Sequence, residues 1–310
     1  MDSTAEEKKI LSYILNYKEW GIFLKRFFLI ILLMVIAFVL WFFPISLIVA
    51  PFYSITTDKT PIIKTYPKLV GLTTTDALKS GLQHLLDEGL VTNFVGVRTW
   101  IDNKYYEQVG EIEMYRIGLY TLENNLARNR GTGGANEHIV QARSDVYADF
   151  RIPVFTSYST RVKEAVANMD VYLQQLKVDK DKDMSKKRAV FIVNSDNLAV
   201  ALDRLKQQLQ TNLMLKTKFT TQDDKFYRIK GNLIAMYYIL KGIDFDFKNK
   251  MIDKTTYEEN FKPMMELLKK AIAQNHIVIL ESLGHLSKLV KDASLISQKM
   301  AELRDKLRNG

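Results

Sequence analysis

The pattern of polar and apolar positions changes abruptly near the start of the chain. From Phe27 to Ala50 the sequence reads FFLIILLMVIAFVLWFFPISLIVA, with no charged side chain. At about 1.5 Å rise per residue, a helix of that length crosses a hydrocarbon core of about 30 Å with tilt to spare. The pattern predicts a transmembrane helix over 27–50. A core helix of a soluble domain would be shorter or would keep a polar face. Lys25 and Arg26 abut Phe27, where their stems can snorkel to the headgroups, while Trp41, Phe42, Phe43, Phe52 and Tyr53 thicken the far end as an aromatic belt does. Pro44 removes one helical hydrogen bond and predicts a kink or an early stop before Ala50.

A cleaved signal peptide also begins with basic residues followed by apolar ones, but this run is too long for a signal core. A cut after Ala50 would also put Ile48 where a small residue is wanted and Pro51 just after the cleavage point. An uncleaved signal anchor fits better. Residues 4–23 place Ile10, Leu11, Ile14 and Leu15 opposite Glu7, Lys8 and Lys18, which predicts an amphipathic interfacial helix within a cytoplasmic segment 1–26. Five cations (Lys8, Lys9, Lys18, Lys25, Arg26) precede the run and three (Lys59, Lys64, Lys68) follow it closely. The positive-inside rule then predicts the N-terminus in the cytoplasm and the remainder across the membrane, which in a Gram-negative bacterium is the periplasm.

After the run, residues 51–72 carry three prolines and little periodicity, and predict an extended linker. Helical spacing resumes at 73 and continues to 310. Thr73, Thr74, Thr75 and Asp76 offer N-caps to a helix with Leu78, Leu82, Leu85 and Leu86 inward and Gly89 as its stop. Val91–Trp100 suits a short strand or an irregular packed segment. Helices are predicted over about 105–128, before the glycine cluster 129–134; over 153–177, with Val162, Val166, Met169, Leu173 and Leu176 buried; and from a cap at Asn194 or Ser195 through Leu198, Leu202, Leu205, Leu209 and Leu213. Three more follow, over 225–241, over 255–273 with a break near Pro263, and over 275–308. On the last, Leu286, Leu289, Val290, Ile296, Met300, Leu303 and Leu307 form an apolar seam able to bury within a bundle or against another chain. The charge-dense stretch 177–190 is the one candidate sub-boundary inside the domain.

The absence of cysteine excludes disulfides, thiol catalysis and cysteine-bound metals. The net charge of +9 is scattered among acids along helical faces, with no basic block interleaved with aromatics, so nucleic acid is not an expected partner. The glycine cluster follows a helix and lacks the lysine and hydroxyl of a phosphate loop. Asp145 and Asp149, four apart, could share a cation on one helical face, but carboxylates at that spacing usually form a solvated edge. His276, Glu281 and His285 lack the H-E-x-x-H zinc spacing. No cofactor motif is found.

The single N-terminal anchor and proline-containing exit are followed by T-x-D-A-L-x-x-G-L-x-x-L-L at Thr74–Leu86 and W-I-D-N at Trp100–Asn103. N-S-D-N-L-A-x-x-L lies at Asn194–Leu202 and L-R-x-x-L-R-N-G at Leu303–Gly310. Together these features resemble a bacterial family of membrane proteins, domain-of-unknown-function family 2333, over most of the chain beyond the anchor. The resemblance implies an anchor-plus-helical-domain architecture and brings no catalytic residues. The lysine-rich stretch 177–188 is not among the motifs that carry the resemblance.

The sequence therefore predicts a mainly α fold: one transmembrane helix followed by an all-helical, bundle-like domain with at most minor strand content. The expected function is that of a non-enzymatic accessory or scaffold subunit of an envelope complex. Its expected partners are membrane lipid and other membrane or periplasmic proteins, a second copy of this chain included. The alternative is a periplasmic hydrolase or glycan-acting enzyme that uses Asp or Glu.

Overall fold

The computed structural model describes residues 8, 21–22, 24–37, 63–66, 69–90, 98–128, 134–148, 158–178, 189–218, 221–248, 256–274, 276, 279 and 283–309, with side chains from 103 onward in the third helix. The chain divides into two compact units, Met1–Phe52 and Tyr53–Gly310. The described residues are helical or irregular, with no strand among them. A mainly α fold is what the periodicity predicts.

In the first unit, residues 24–37 form helix α1. Its large apolar side chains are exposed on every side, among them Phe28 at 65% and Met34 at 60%. Of the predicted span 27–50, only 27–37 is described, and among the described residues no helix is long and apolar enough to cross a membrane. Trp41, Pro44, Ala50 and the predicted interfacial helix apart from Lys8, Gly21 and Ile22 lie largely or wholly outside the described residues.

The second unit contains α2 (Leu72–Glu88), α3 (Arg98–Thr121), α4 (Glu137–Tyr147), α5 (Tyr158–Leu176), α6 (Ser195–Leu213), α7 (Gln222–Phe247), α8 (Lys262–Ile272) and α9 (His285–Asn309). One core joins them, from Leu72 to Leu307, and it draws on residues from both sides of 177–190. That stretch therefore does not separate two cores. The predicted inward faces hold: Leu78, Leu82 and Leu85 on α2, Val162 and Met169 on α5, and Leu198, Leu202, Leu205 and Leu209 on α6 are buried. Each such side chain contributes about 1.5–3 kcal/mol, so tertiary burial rather than intrinsic helix propensity holds the helices.

Helices α3 and α7 form the central pair and run in the same direction. Gly110 lies against the backbone of Arg228 and Asn232, Gly231 against that of Glu107 and Glu111, and Gly118 against Ile239. A Cβ at Gly110 or Gly231 would overlap a carbonyl oxygen of the facing helix. The two glycines therefore allow backbone-to-backbone contact. Asn232 pins the crossing by donating from Nδ2 to the carbonyls of Gly110 (3.0 Å) and Arg228 (3.1 Å).

Helix α4 runs antiparallel to α3, whose Arg116 donates to the carbonyls of Val146 and Ala148 at the end of α4. It forms a hairpin with α5, closed by Asn136–Gln175 at one end and by the Tyr158 hydroxyl on the Val146 carbonyl at the other. Helix α6 also runs antiparallel to α3, with Asn212 on Glu113 and Arg204 on Tyr120. Two helices contain a wide turn closed by an i to i+5 hydrogen bond. One follows α3, where the Ala127 N–H donates to the Leu122 carbonyl at 2.7 Å. The other, Tyr257–Phe261, leads into α8 just before Pro263, the expected site of a break.

Several expectations need correction. Thr73, Thr74 and Thr75 do not cap α2, because they lie buried inside its first turn; its N-cap is Gly71, held at φ 88°, with no capping side chain of its own. Arg98–Trp100 is the start of α3 and not a strand or loop; residues 91–97 lie outside the described residues. The last helix begins at His285 and not at 275, because Gly284, at φ 70°, interrupts the chain just before it. Gly89, at φ 80°, does end α2, and the Asn194 side chain does cap α6 by accepting from Asn197 N–H at 2.7 Å.

Candidate functional site

The close crossing of α3 and α7 sets charged side chains inside the protein. Residues 104, 107, 111 and 115 share one face of α3, since they are three or four apart. That face looks toward the end of α2 and toward Lys230 of α7. His84 Nε2 lies 3.2 Å from Glu88 Oε1, Lys104 Nζ 2.6 Å from Glu88 Oε2 and 3.0 Å from Glu107 Oε1, and Lys230 Nζ 3.7 Å from Glu107 Oε2. Acid and base thus alternate along a chain of five ionisable groups that ties α2, α3 and α7 together. Glu107 is only 4% exposed and Lys230 5%.

Two carboxylates and two ammonium groups balance in this chain. Glu111, one turn beyond Glu107 and 2% exposed, is the acid left over, and its Oε2 has no hydrogen-bond partner among the described residues. Burial pushes its carboxyl well above the ordinary range, and the neighbouring Glu107 and Glu88 push it further against the pull of Lys104 and Lys230. Tyr115, fully buried one turn on, has a hydroxyl without a partner among the described residues, raised first by burial and then by Glu111. Glu88 behaves oppositely: burial raises it, but the His84 hydrogen bond and the Lys104 ammonium outweigh burial and hold it below the usual range. Lys104 is raised because Glu107, Glu111 and Glu88 outweigh its own burial. The ion pairs hold their protons on the lysines and tie α2, α3 and α7 together. Glu111 and Tyr115 are both buried, and Tyr115 lies so close to Gly81 of α2 that a Cβ there would overlap its ring and hydroxyl.

A second polar feature is an open groove of about 580 Å³ lined by α3, α6 and the end of α9. Tyr120, Asp203, Arg204, Gln207, Thr211 and Arg308 contribute its polar atoms. Arg204 lies over the Tyr120 ring at 4.2 Å.

The residues singled out from the sequence fall elsewhere. Lys25, Arg26 and Phe27 are on α1 and exposed. The apolar seam of the last helix is turned into the chain's own core: Leu289, Ile296, Met300 and Leu303 are fully buried, Leu286 and Leu307 nearly so, and Val290 packs against them half-buried. It is bundle interior, which corrects its reading as a surface for a partner. Asp145 is buried and bonded to Gln141 and Arg161, and Asp149 lies outside the described residues. His276 and His285 do meet, but as rings stacked 3.7 Å apart at 6° and from different segments; Glu281 is outside the described residues. Stacked rings do not point their nitrogens at one centre, and no group of three metal-ligating residues occurs among the described residues.

Glu88, Lys104, Glu107, Glu111 and Lys230 escaped notice in the sequence. The available signal was the set Lys104, Glu107 and Glu111 interrupting a face that also carries Tyr115. Charges on a face that must be buried ask for partners.

No curated protein and no solved structure matches the chain. The sequence profile of the family described as "Uncharacterized protein conserved in bacteria (DUF2333)" matches residues 17–211 and 203–286. These two stretches take in α1, the α3–α7 crossing and every member of the buried charge network, so the chain belongs to this bacterial family, domain of unknown function 2333.

Proposed function

We propose that the protein is a single-span membrane-anchored scaffold that holds its helical domain at a bacterial inner membrane for partners in a larger envelope complex. One observation carries this reading: α1 exposes apolar side chains on all of its sides, at the start of a sequence run that stays uncharged to Ala50. Water does not tolerate such a surface, and lipid covers it at no cost. Lys25 and Arg26 at its N-terminal end suit an orientation with the N-terminus in the cytoplasm.

The hydrolase alternative draws less support. Glu88 and Glu107 are neutralised by lysines and Glu111 is enclosed, so these acids are not presented to a substrate.

Expressed in bacterial cells, the tagged full chain is expected in the membrane fraction and resistant to carbonate extraction. Because the natural sequence has no cysteine, a single cysteine at Lys177 should react with an impermeant maleimide in intact spheroplasts, and one at Lys8 only after lysis. Recovery in the soluble fraction would overturn the anchor. Gentle-detergent purification from native cells should yield a stoichiometric complex, and a lone monomer there would overturn the scaffold role.

A further inference from the structure

We infer that the groove between α3, α6 and the last turn of α9 binds a small organic anion, whose carboxylate or phosphate group is gripped by the guanidinium groups of Arg204 and Arg308. Its volume, about 580 Å³, suits a small-molecule ligand. The acidic charge of the groove is already satisfied. Asp203 accepts from Arg304 at 2.5 Å, Lys206 at 3.0 Å and Gln207 at 3.0 Å. Burial raises its carboxyl, but the Lys206 and Arg304 bonds outweigh that and hold it below the usual range, so it stays ionised and engaged.

Arg204 and Arg308 line the same groove, and among the described residues neither makes an ion pair. Arg204 is the better anchor. Its guanidinium carbon lies over the Tyr120 ring, which covers one face of the group, while its N–H donors, which lie in the guanidinium plane, can meet a bidentate acceptor. Arg308 sits in the last turn of α9, where the carbonyl end of the helix offsets part of its charge, so it adds to the field rather than setting the geometry. Gln207 and Thr211, on the α6 wall, already donate to Asp203 and to the Gln207 carbonyl, so the two arginines are the groups left to grip an anion. Planar carboxylate and tetrahedral phosphate are both acceptors that an arginine fork pairs with.

Isothermal titration of the full chain in detergent, at constant ionic strength, with inorganic phosphate and separately with citrate tests this. The expected result is saturable one-site binding of at least one of the two, weakened about tenfold or more in the Arg204→Gln/Arg308→Gln variant. Phosphate alone binding would assign the phosphate group, and citrate alone the carboxylate. Arg204→Lys, which keeps the charge and loses the fork, is also expected to weaken binding. Lys216→Gln/Lys291→Gln, which removes the same charge from exposed positions elsewhere, should leave it unchanged. No saturable binding of either anion, or an equal loss in the lysine control, would overturn the proposal.

Discussion

Asp246, near the end of α7, accepts a hydrogen bond at 2.7 Å from the backbone N–H of Thr74 at the start of α2, across 172 positions of sequence. The same carboxyl group meets the N–H groups of Gly71 and Thr73. A helix start normally takes its cap from the residue just before it. Here the preceding residue is Gly71, which has no side chain to offer, and the cap comes from another helix. Gly242, one turn before Asp246 on α7, lets the two helices close enough for this, because a Cβ there would press on Thr74 and Ala77.

Removing the carboxyl in Asp246→Ala should lower stability by about 1–2 kcal/mol, the usual worth of an N-cap. Asp246→Asn keeps an acceptor oxygen and should retain most of it. Urea denaturation of the three proteins checks this, and equal loss in both variants would count against a capping role.

Gly231→Ala should be far more damaging than its helix propensity suggests. Alanine gains about 1 kcal/mol over glycine in an open helix. Against that, the new methyl meets the carbonyl of Glu107, which is backbone and cannot swing away, and overpacking of this kind costs about 3 kcal/mol or more. The midpoint of thermal unfolding should fall. A rise would show that α3 and α7 do not touch there.

Glu111 makes stability depend on pH. Its folded-state pKa lies above its unfolded value of about 4.3, so the native state binds the proton more tightly. Its stabilising contribution is complete below about pH 4.3 and is lost progressively as pH rises toward the folded value. Glu111→Gln mimics the neutral acid and should gain on the natural protein as pH rises above about 4.3 toward the folded value. Parallel stability curves for the two proteins above about pH 4.3 would show that folding does not raise Glu111.

The stacked histidines act in the opposite sense. Burial first, then His285, Lys288 and Lys230, hold His276 below its usual value of about 6.5. The unfolded chain therefore takes up a proton that the native state resists. Stability contributed by neutral His276 is present above about pH 6.5 and is lost as pH falls through the folded value. His276→Gln should flatten this acid limb while keeping the backbone carbonyl that accepts from Tyr227 at 2.6 Å. An unchanged slope below pH 6.5 would remove His276 from the explanation.

The last helix shows where a sequence can be read and where it stops. Its apolar seam was legible because residues three and four apart must share a face, and Leu289, Ile296, Met300 and Leu303 do. What that face meets was not legible, since a seam against one's own bundle and a seam against another chain have the same spacing. The start of the helix was misplaced by ten residues, from 275 to 285, because the sequence between Asn275 and Gly284 is as apolar as a helix would need it to be.

By itself the sequence determined the helical class, the inward faces of α2, α5 and α6, the glycine stop at Gly89 and the Asn194 cap. All of these depend on interactions within about four residues, which periodicity and local hydrogen bonding record. Only the tertiary structure decided that Asp246 caps α2, that Gly110 and Gly231 meet, and that Glu88, Glu107 and Glu111 share an interior with two lysines. Those relationships join residues up to 172 positions apart, and burial energy, which depends on the summed packing of all the helices, selects them without leaving a local pattern.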